Sequence, residues 1–262
     1  MNIFILDENI EKCAQYHCDK HIIKMILESA QLLCTAHWIN KYAGFIPRKL
    51  ESKEWEKVRE QKTNEPRDFP YLPTMHNHPC SIWVRSSLDN YEWLYRLTDE
   101  LNKEYGYRYG GKSHKSMHEV VSNLPVLDIP RRGLTPFALA MPDSCKGDNA
   151  VEAYRKFYHE DKGTFATWKV RGEPKWWKEE LINALNKAIA KNPALKDSHT
   201  DAYIESVNSI SDNVPIWDIK WPKKPFQFEV AEIIEDLTET EMQKHKELQN
   251  VRWKLHVEGK DY

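Results

Sequence analysis

The stretch "CDKHIIKMILESAQLLCTAHW", residues 18–38, constrains the fold more than any other part of the chain. Side chains at i, i+4, i+7, i+11, i+14 and i+18 share one face of a helix. His17, His21, Lys24, Glu28, Gln31 and Thr35 fall on those offsets. The other faces carry Ile22, Ile23, Met25, Ile26, Leu27, Ala30, Leu32, Leu33, Cys34 and Ala36. A helix apolar on most sides is surrounded by protein. Its polar file must then face a cleft or a hydrogen-bonded interior. An unpaired buried charge costs several kcal/mol, and Lys24 and Glu28 have the i,i+4 spacing that lets them pair. The file reads either as a network that fixes helix packing or as the wall of an active site. The alignment of an acid, a base and a cation favours the second.

The flanking sequence is also mainly helical in pattern. Residues 3–6, "IFIL", make an apolar start, a strand or an extended segment tucked into the core. Asp7 or Asn9 can cap a helix running from Ile10 to Trp38. Residues 44–79 hold five prolines and many charges. They read as a long surface excursion with a short helix near 51–62. Apolar residues from Ile82 to Tyr105 recur at helical spacing, which predicts a helix over 80–105 stopped at Gly106. A short helix is expected near 115–123. Another is expected to begin with Thr135 as cap and Pro136 at the first helical position. Further helices are expected over 149–161 and 174–191. The segment 193–230 reads as strands or an extended wrap, and the last segment as a surface helix or an oligomer contact. Together these patterns predict a mainly α protein: one helical domain over 1–192 around a central buried helix, with an irregular or helical extension over 193–262 packing on it.

Composition narrows the function classes. The 262 residues include 40% hydrophobic and 11% aromatic side chains, which suits a folded core and not a disordered chain. The net charge of −2 excludes an overall basic field, although 38 Lys and Arg can still cluster locally. Five cysteines without a C-x-x-C spacing read as reduced thiols of a cytoplasmic protein. "MNIFILDENIEKC" has no basic start, so no secretory signal is expected, and no apolar run approaches the roughly 20 residues of a membrane helix. Neither GxSxG nor GxGxxG occurs. Cys13, His17 and His21 at i, i+4 and i+8 could begin a zinc site, with His76, His78 or Cys80 of "HNHPC" completing it. Their spacing is unconvincing, and no metal or cofactor is expected.

Several outlying residues are candidates for substrate contact. "YRYGGKSHK" gathers Arg108, Lys112 and His114 among tyrosines, a pattern suited to phosphates and base stacking, or to a solvated loop. Arg85 and Asn90 lie on the helix after "HPC", where Arg85 and Asp89 have the spacing of an ordinary ion pair. Arg155, Trp168 and Lys169 belong to "AYRKFYHEDKGTFATWK", which reads as a basic, aromatic ledge or as core aromatics with surface cations.

The opening "MNIFILDENIEKCAQYHCDKHIIKMILESAQLL" resembles the start of the phage endonuclease V family of pyrimidine-dimer DNA glycosylases and abasic lyases. Those proteins have an apolar start and then a helix with His followed seven residues later by Glu, here His21 and Glu28. "HPCSIWVRSSLDNYEWLYRLTDELNKEYGYRYG" is similar to the family's central helix. "EPKWWK" resembles its closing element, placing Pro174, Trp176, Trp177 and Lys178. The resemblance implies an all-α fold with the amino terminus threaded between helices. It implies an α-amine that attacks the anomeric carbon of a sugar and forms a Schiff base, with the nucleotide opened out of the duplex. α-Amines ordinarily titrate near pH 8, so a neutral, nucleophilic fraction exists at physiological pH. A carboxylate in the same cleft can stabilise the cationic sugar and relay protons. The nucleophile would be the Met1 amine, or that of Asn2 after trimming. Glu28 would be the acid or base, with His21 and Lys24 shaping the site and His17 and Gln31 beside it. Leu27 and Gln31 stand where the family carries two arginines that grip DNA. The expected partner is therefore a nucleic acid or a nucleotide. An enzyme of free nucleotides or modified bases, and a non-catalytic nucleotide- or host-protein-binding factor, stay open as alternatives.

Overall fold

In the computed structural model the protein is mainly helical, with no strand among the described residues, which are 1–163, 165–179, 186 and 190. The chain divides into two compact units, Met1–Tyr154 and Arg155–Tyr262. The expected extension over 193–262, and most of the helix expected over 174–191, lie outside the described residues. No helix among the described residues is long and apolar enough to cross a membrane.

The first unit is built on α1 (Ile10–Tyr16), α2 (Asp19–Ala43), α4 (Pro79–Ser86) and α5 (Leu88–Arg108), with α3 (Ser52–Glu60) laid against α2. Helix α2 is the central element: Ile22, Ile26, Leu32, Leu33 and Trp38 are fully buried. Residues 3–6 are extended and buried, as their apolar character requires. The Cys13 thiol tethers them, donating to the Phe4 carbonyl at 3.3 Å and accepting from Leu6 N–H at 3.3 Å. It satisfies two backbone groups of this extended segment. All five cysteines are buried as thiols.

Three expected helices are corrected. The helix expected over Ile10–Trp38 breaks at His17 and Cys18, both in extended backbone. Arg108 explains the break, because its guanidinium donates to the exposed carbonyls of Gln15 and His17. The helix expected over 80–105 is two helices divided at Ser87, whose hydroxyl caps α5 by accepting from Asp89 N–H. Helix α5 also runs past Gly106 to Arg108. There a β-carbon would come within 3.3 Å of the Lys112 carbonyl, so the glycine serves close approach and not termination. The helix expected from Thr135 does not form. Asn90 Oδ1 accepts from the Thr135 amide (2.9 Å), Asn90 Nδ2 donates to the Thr135 hydroxyl (2.7 Å), and Asp89 accepts from the Gly133 amide, which holds this segment extended. The other short helices appear near their expected places, the one near 115–123 as a π turn, Ser116–Val120, followed by a 3₁₀ turn.

In the second unit, Tyr158, Trp168, Trp176 and Trp177 pack as an aromatic cluster with ring centroids 5.0–6.4 Å apart. Helix α6 (Ala150–Lys162) contributes its last turns to that cluster.

Candidate active site at the amino terminus

The site begins with two restraints on the first residues. Asn2 Nδ2 donates to the Ala140 carbonyl at 2.8 Å. The buried Cys80 thiol lies beside the Ile3 backbone and Tyr154, whose hydroxyl donates to the Ala138 carbonyl at 2.6 Å. Burial pushes the Cys80 thiol up, so it is a neutral strut. So anchored, Met1 presents its amine 3.9 Å from Glu28 Oε2. Glu28 Oε1 lies 3.4 Å from Lys24 Nζ, the pairing its spacing predicts. The Met1 and Glu28 side chains are 9% and 14% exposed, whereas that of Lys24 is 63% exposed. Both contacts exceed the roughly 2.7–2.9 Å of a tight charge-assisted hydrogen bond. The carboxylate is held near two cations and locked to neither.

The rest of the polar file is distributed by the segment that covers it. Thr35 exchanges hydrogen bonds with the backbone of Thr74, so residues 74–78 run beside α2. Half-buried His78 ends that stretch, and its pKa is lowered chiefly by burial and also by the Met1 ammonium, against the Glu28 carboxylate. Gln31 is half-buried, and its carbonyl accepts the Thr35 hydroxyl at 2.7 Å.

His17 and His21 are corrected as site residues. His17 is the C-cap of α1, off the face of α2, and its Nδ1–H donates to the Cys13 carbonyl at 2.7 Å. Burial lowers its pKa to about 4. His21 is buried with its ring 4.8 Å from that of Phe4. It sits two turns before Glu28, about 10 Å along the axis. Both rings build the wall that seats the amino-terminal segment.

The outlying candidates are placed elsewhere. Arg85 is buried and does not pair with Asp89. It donates to the carbonyls of Ile46 (2.8 Å), His76 (2.7 Å) and Arg48 (2.6 Å), stapling the 44–79 excursion, and burial lowers its pKa to about 10. Asn90 is spent on residue 135. Arg108 is bonded to Glu104 Oε1 (2.7 Å), to Asp19 Oδ1 (2.9 Å) and to the carbonyls capping α1. His114 accepts the Ser116 amide at 3.2 Å, and Lys112 is exposed beyond α5. In the second unit Trp168 is buried in the aromatic cluster, Arg155 lies over the Trp176 ring at 5.3 Å and Lys169 is exposed.

Sequence reasoning offered His78 only as a metal ligand. Among the described residues no group of three or more His, Cys, Asp or Glu is placed to hold a metal ion. The signal for its other role was local: a residue before Pro at a helix start is an N-cap. A depression of about 510 Å³ is lined by Glu8, Asn9, Trp93, Arg96 and Glu100, and none of its lining residues belongs to the Met1–Glu28 cluster. No family model, curated protein or solved structure matches the chain.

Proposed function

We propose that the protein is a base-excision enzyme of the glycosylase and abasic-lyase kind, with the Met1 α-amine as nucleophile and Glu28 as its proton relay. The observation that carries this reading is the 3.9 Å approach of the amine to the Glu28 carboxylate at the end of a pinned, buried segment. A neutral amine attacks C1′ of the sugar and the bond from C1′ to the base breaks, leaving the electron pair on the base. Glu28 removes one proton from the new ammonium and delivers it to O4′ as the ring opens, giving a protonated Schiff base. The charges balance: the base departs as an anion and the imine carries the positive charge.

Borohydride reduction in the presence of abasic-site DNA tests this. The expected result is a covalent adduct that peptide mapping places on Met1, and Glu28→Gln should suppress it. An adduct on Lys24 would move the nucleophile to that side chain. No adduct, with E28Q indistinguishable from the parent protein, would end the reading.

A second reading keeps the Met1–Glu28 site and changes the substrate to a free nucleotide or modified base. Ile23 and Leu27, 44% and 37% exposed, flank the site on α2, and Lys24 is the one exposed cation among the residues placed at it. A duplex is gripped through several phosphate contacts, and Arg85 and Arg108 are consumed inside the fold. Product analysis by mass spectrometry with nucleotides and with modified DNA separates the two substrates.

A further inference from the structure

Tyr154 is the last residue of the first unit and one of the largest fully buried side chains. A buried phenol needs a partner for its hydroxyl. This one donates to the Ala138 carbonyl at 2.6 Å. Its ring meets that of Phe4 edge-on, with centroids 5.8 Å apart. Tyr154 therefore touches both the amino-terminal segment and the strap 136–140, which runs without helix or turn. In extended backbone, carbonyls two residues apart face the same side. That of Ala138 takes the Tyr154 hydroxyl, and that of Ala140 takes Asn2 Nδ2 at 2.8 Å. Fixing the first fixes the direction of the second. Asn2 in turn adjoins the residue whose amine lies 3.9 Å from Glu28 Oε2.

We propose that Tyr154 is a positioning residue of this site, acting on the Met1 amine through Ala138, Ala140 and Asn2. Its part in catalysis rests on the amine reading above; its part in placing the amine does not. Burial of Ile3, Phe4, Ile5 and Leu6 fixes where the segment runs. The strap fixes where its free end points. Both bonded positions of the strap are alanines, so the backbone itself transmits the constraint. A nucleophile misplaced by about 1 Å can lose about 10²-fold in rate, which gives a hydroxyl remote from the chemistry leverage over it.

Two substitutions at the ends of the relay test it. Tyr154→Phe keeps the ring on Phe4 and removes only the hydroxyl. Asn2→Leu removes the donor and keeps a bulky second residue, so that Met1 is retained, which the intact mass checks. Trace acetylation with acetic anhydride, read by peptide mapping, reports on the Met1 amine without any substrate. Both variants should label Met1 several-fold faster relative to the lysines, with the urea midpoint showing that the fold persists. In borohydride trapping on abasic DNA, kcat should fall about 10²-fold in N2L and about 10-fold in Y154F, with KM unchanged. The double variant should be no slower than N2L, because both changes act through one path, whereas independent effects would multiply. Unchanged Met1 labelling in Y154F, or losses that multiply in the double variant, would overturn the proposal. A collapse of the Y154F unfolding midpoint would make the hydroxyl a prop of the core and overturn it as well. Failure of the parent protein to trap abasic DNA would end the amine reading alone, since the labelling rates still decide whether Tyr154 places the amine.

Discussion

Two charge clusters sit at opposite ends of the first turns of α2, and they are built differently. Around Arg108 the guanidinium makes bonds of 2.7–2.9 Å to two carboxylates and two carbonyls, and the side chain is 1% exposed. Around Glu28 the contacts are 3.4 and 3.9 Å, and one partner is largely in solvent. The first cluster has spent its bonding capacity on holding α1, α2 and α5 together. The second keeps capacity in reserve. A saturated buried network specifies shape, whereas a loosely held acid beside an amine can still accept a proton.

The largest expected effect falls on the saturated cluster. Arg108→Met takes the guanidinium from Glu104 and Asp19 and uncovers the carbonyls at the α1 break, which should cost about 3–5 kcal/mol in urea unfolding. A near-neutral result would erase the distinction between the clusters. Glu28→Gln should do the reverse. The trapping rate should fall about 10³-fold, about 4 kcal/mol of barrier, while the unfolding midpoint stays in place. Loss of stability with activity retained would make Glu28 a second knot.

Acid sharpens the comparison next. His37 is buried, its Nε2 2.8 Å from the Tyr91 hydroxyl, and burial lowers its pKa to about 4, as it does for His17. These histidines are neutral when folded and bind protons more readily when unfolded. Their contribution is intact above about pH 6.5 and is lost as the pH falls toward 4. Each should remove about 2–3 kcal/mol by pH 4.5, and His37→Gln should flatten the dependence measured by urea unfolding between pH 7 and 4.5. A slope unchanged in H37Q would assign acid sensitivity elsewhere. The smallest effect belongs to Lys24→Ala. Its exposed side chain should leave stability within about 0.5 kcal/mol, while the trapping rate drops because Glu28 loses a neighbouring cation. A stability loss of several kcal/mol would show the pair to be structural.

What the sequence disclosed follows a physical divide. Periodicity exposed the central helix and its polar file, because a 3.6-residue repeat is a local property. The apolar run at residues 3–6 announced its burial for the same reason. The break at His17 stayed hidden because its cause, Arg108, lies 91 residues further along the chain. Arg85 was paired on paper with Asp89, its helical neighbour, while its true partners at 46 and 48 are 39 and 37 residues away. Thr135 carries a proper capping signature and is overruled by Asn90, which engages both its hydroxyl and its amide from 45 residues away. His78 was legible as a cap, because a residue before Pro at a helix start is a local signal.

The tether from Asn2 to Ala140 spans 138 positions. Residues 2 and 3 therefore leave the ribosome long before the groups that seat them exist. During synthesis the amino-terminal segment lacks its seat until residue 140 has been added. The amino terminus is thus seated only by completion of the first unit, and a chain cut short before residue 140 would lack the carbonyl that holds Asn2.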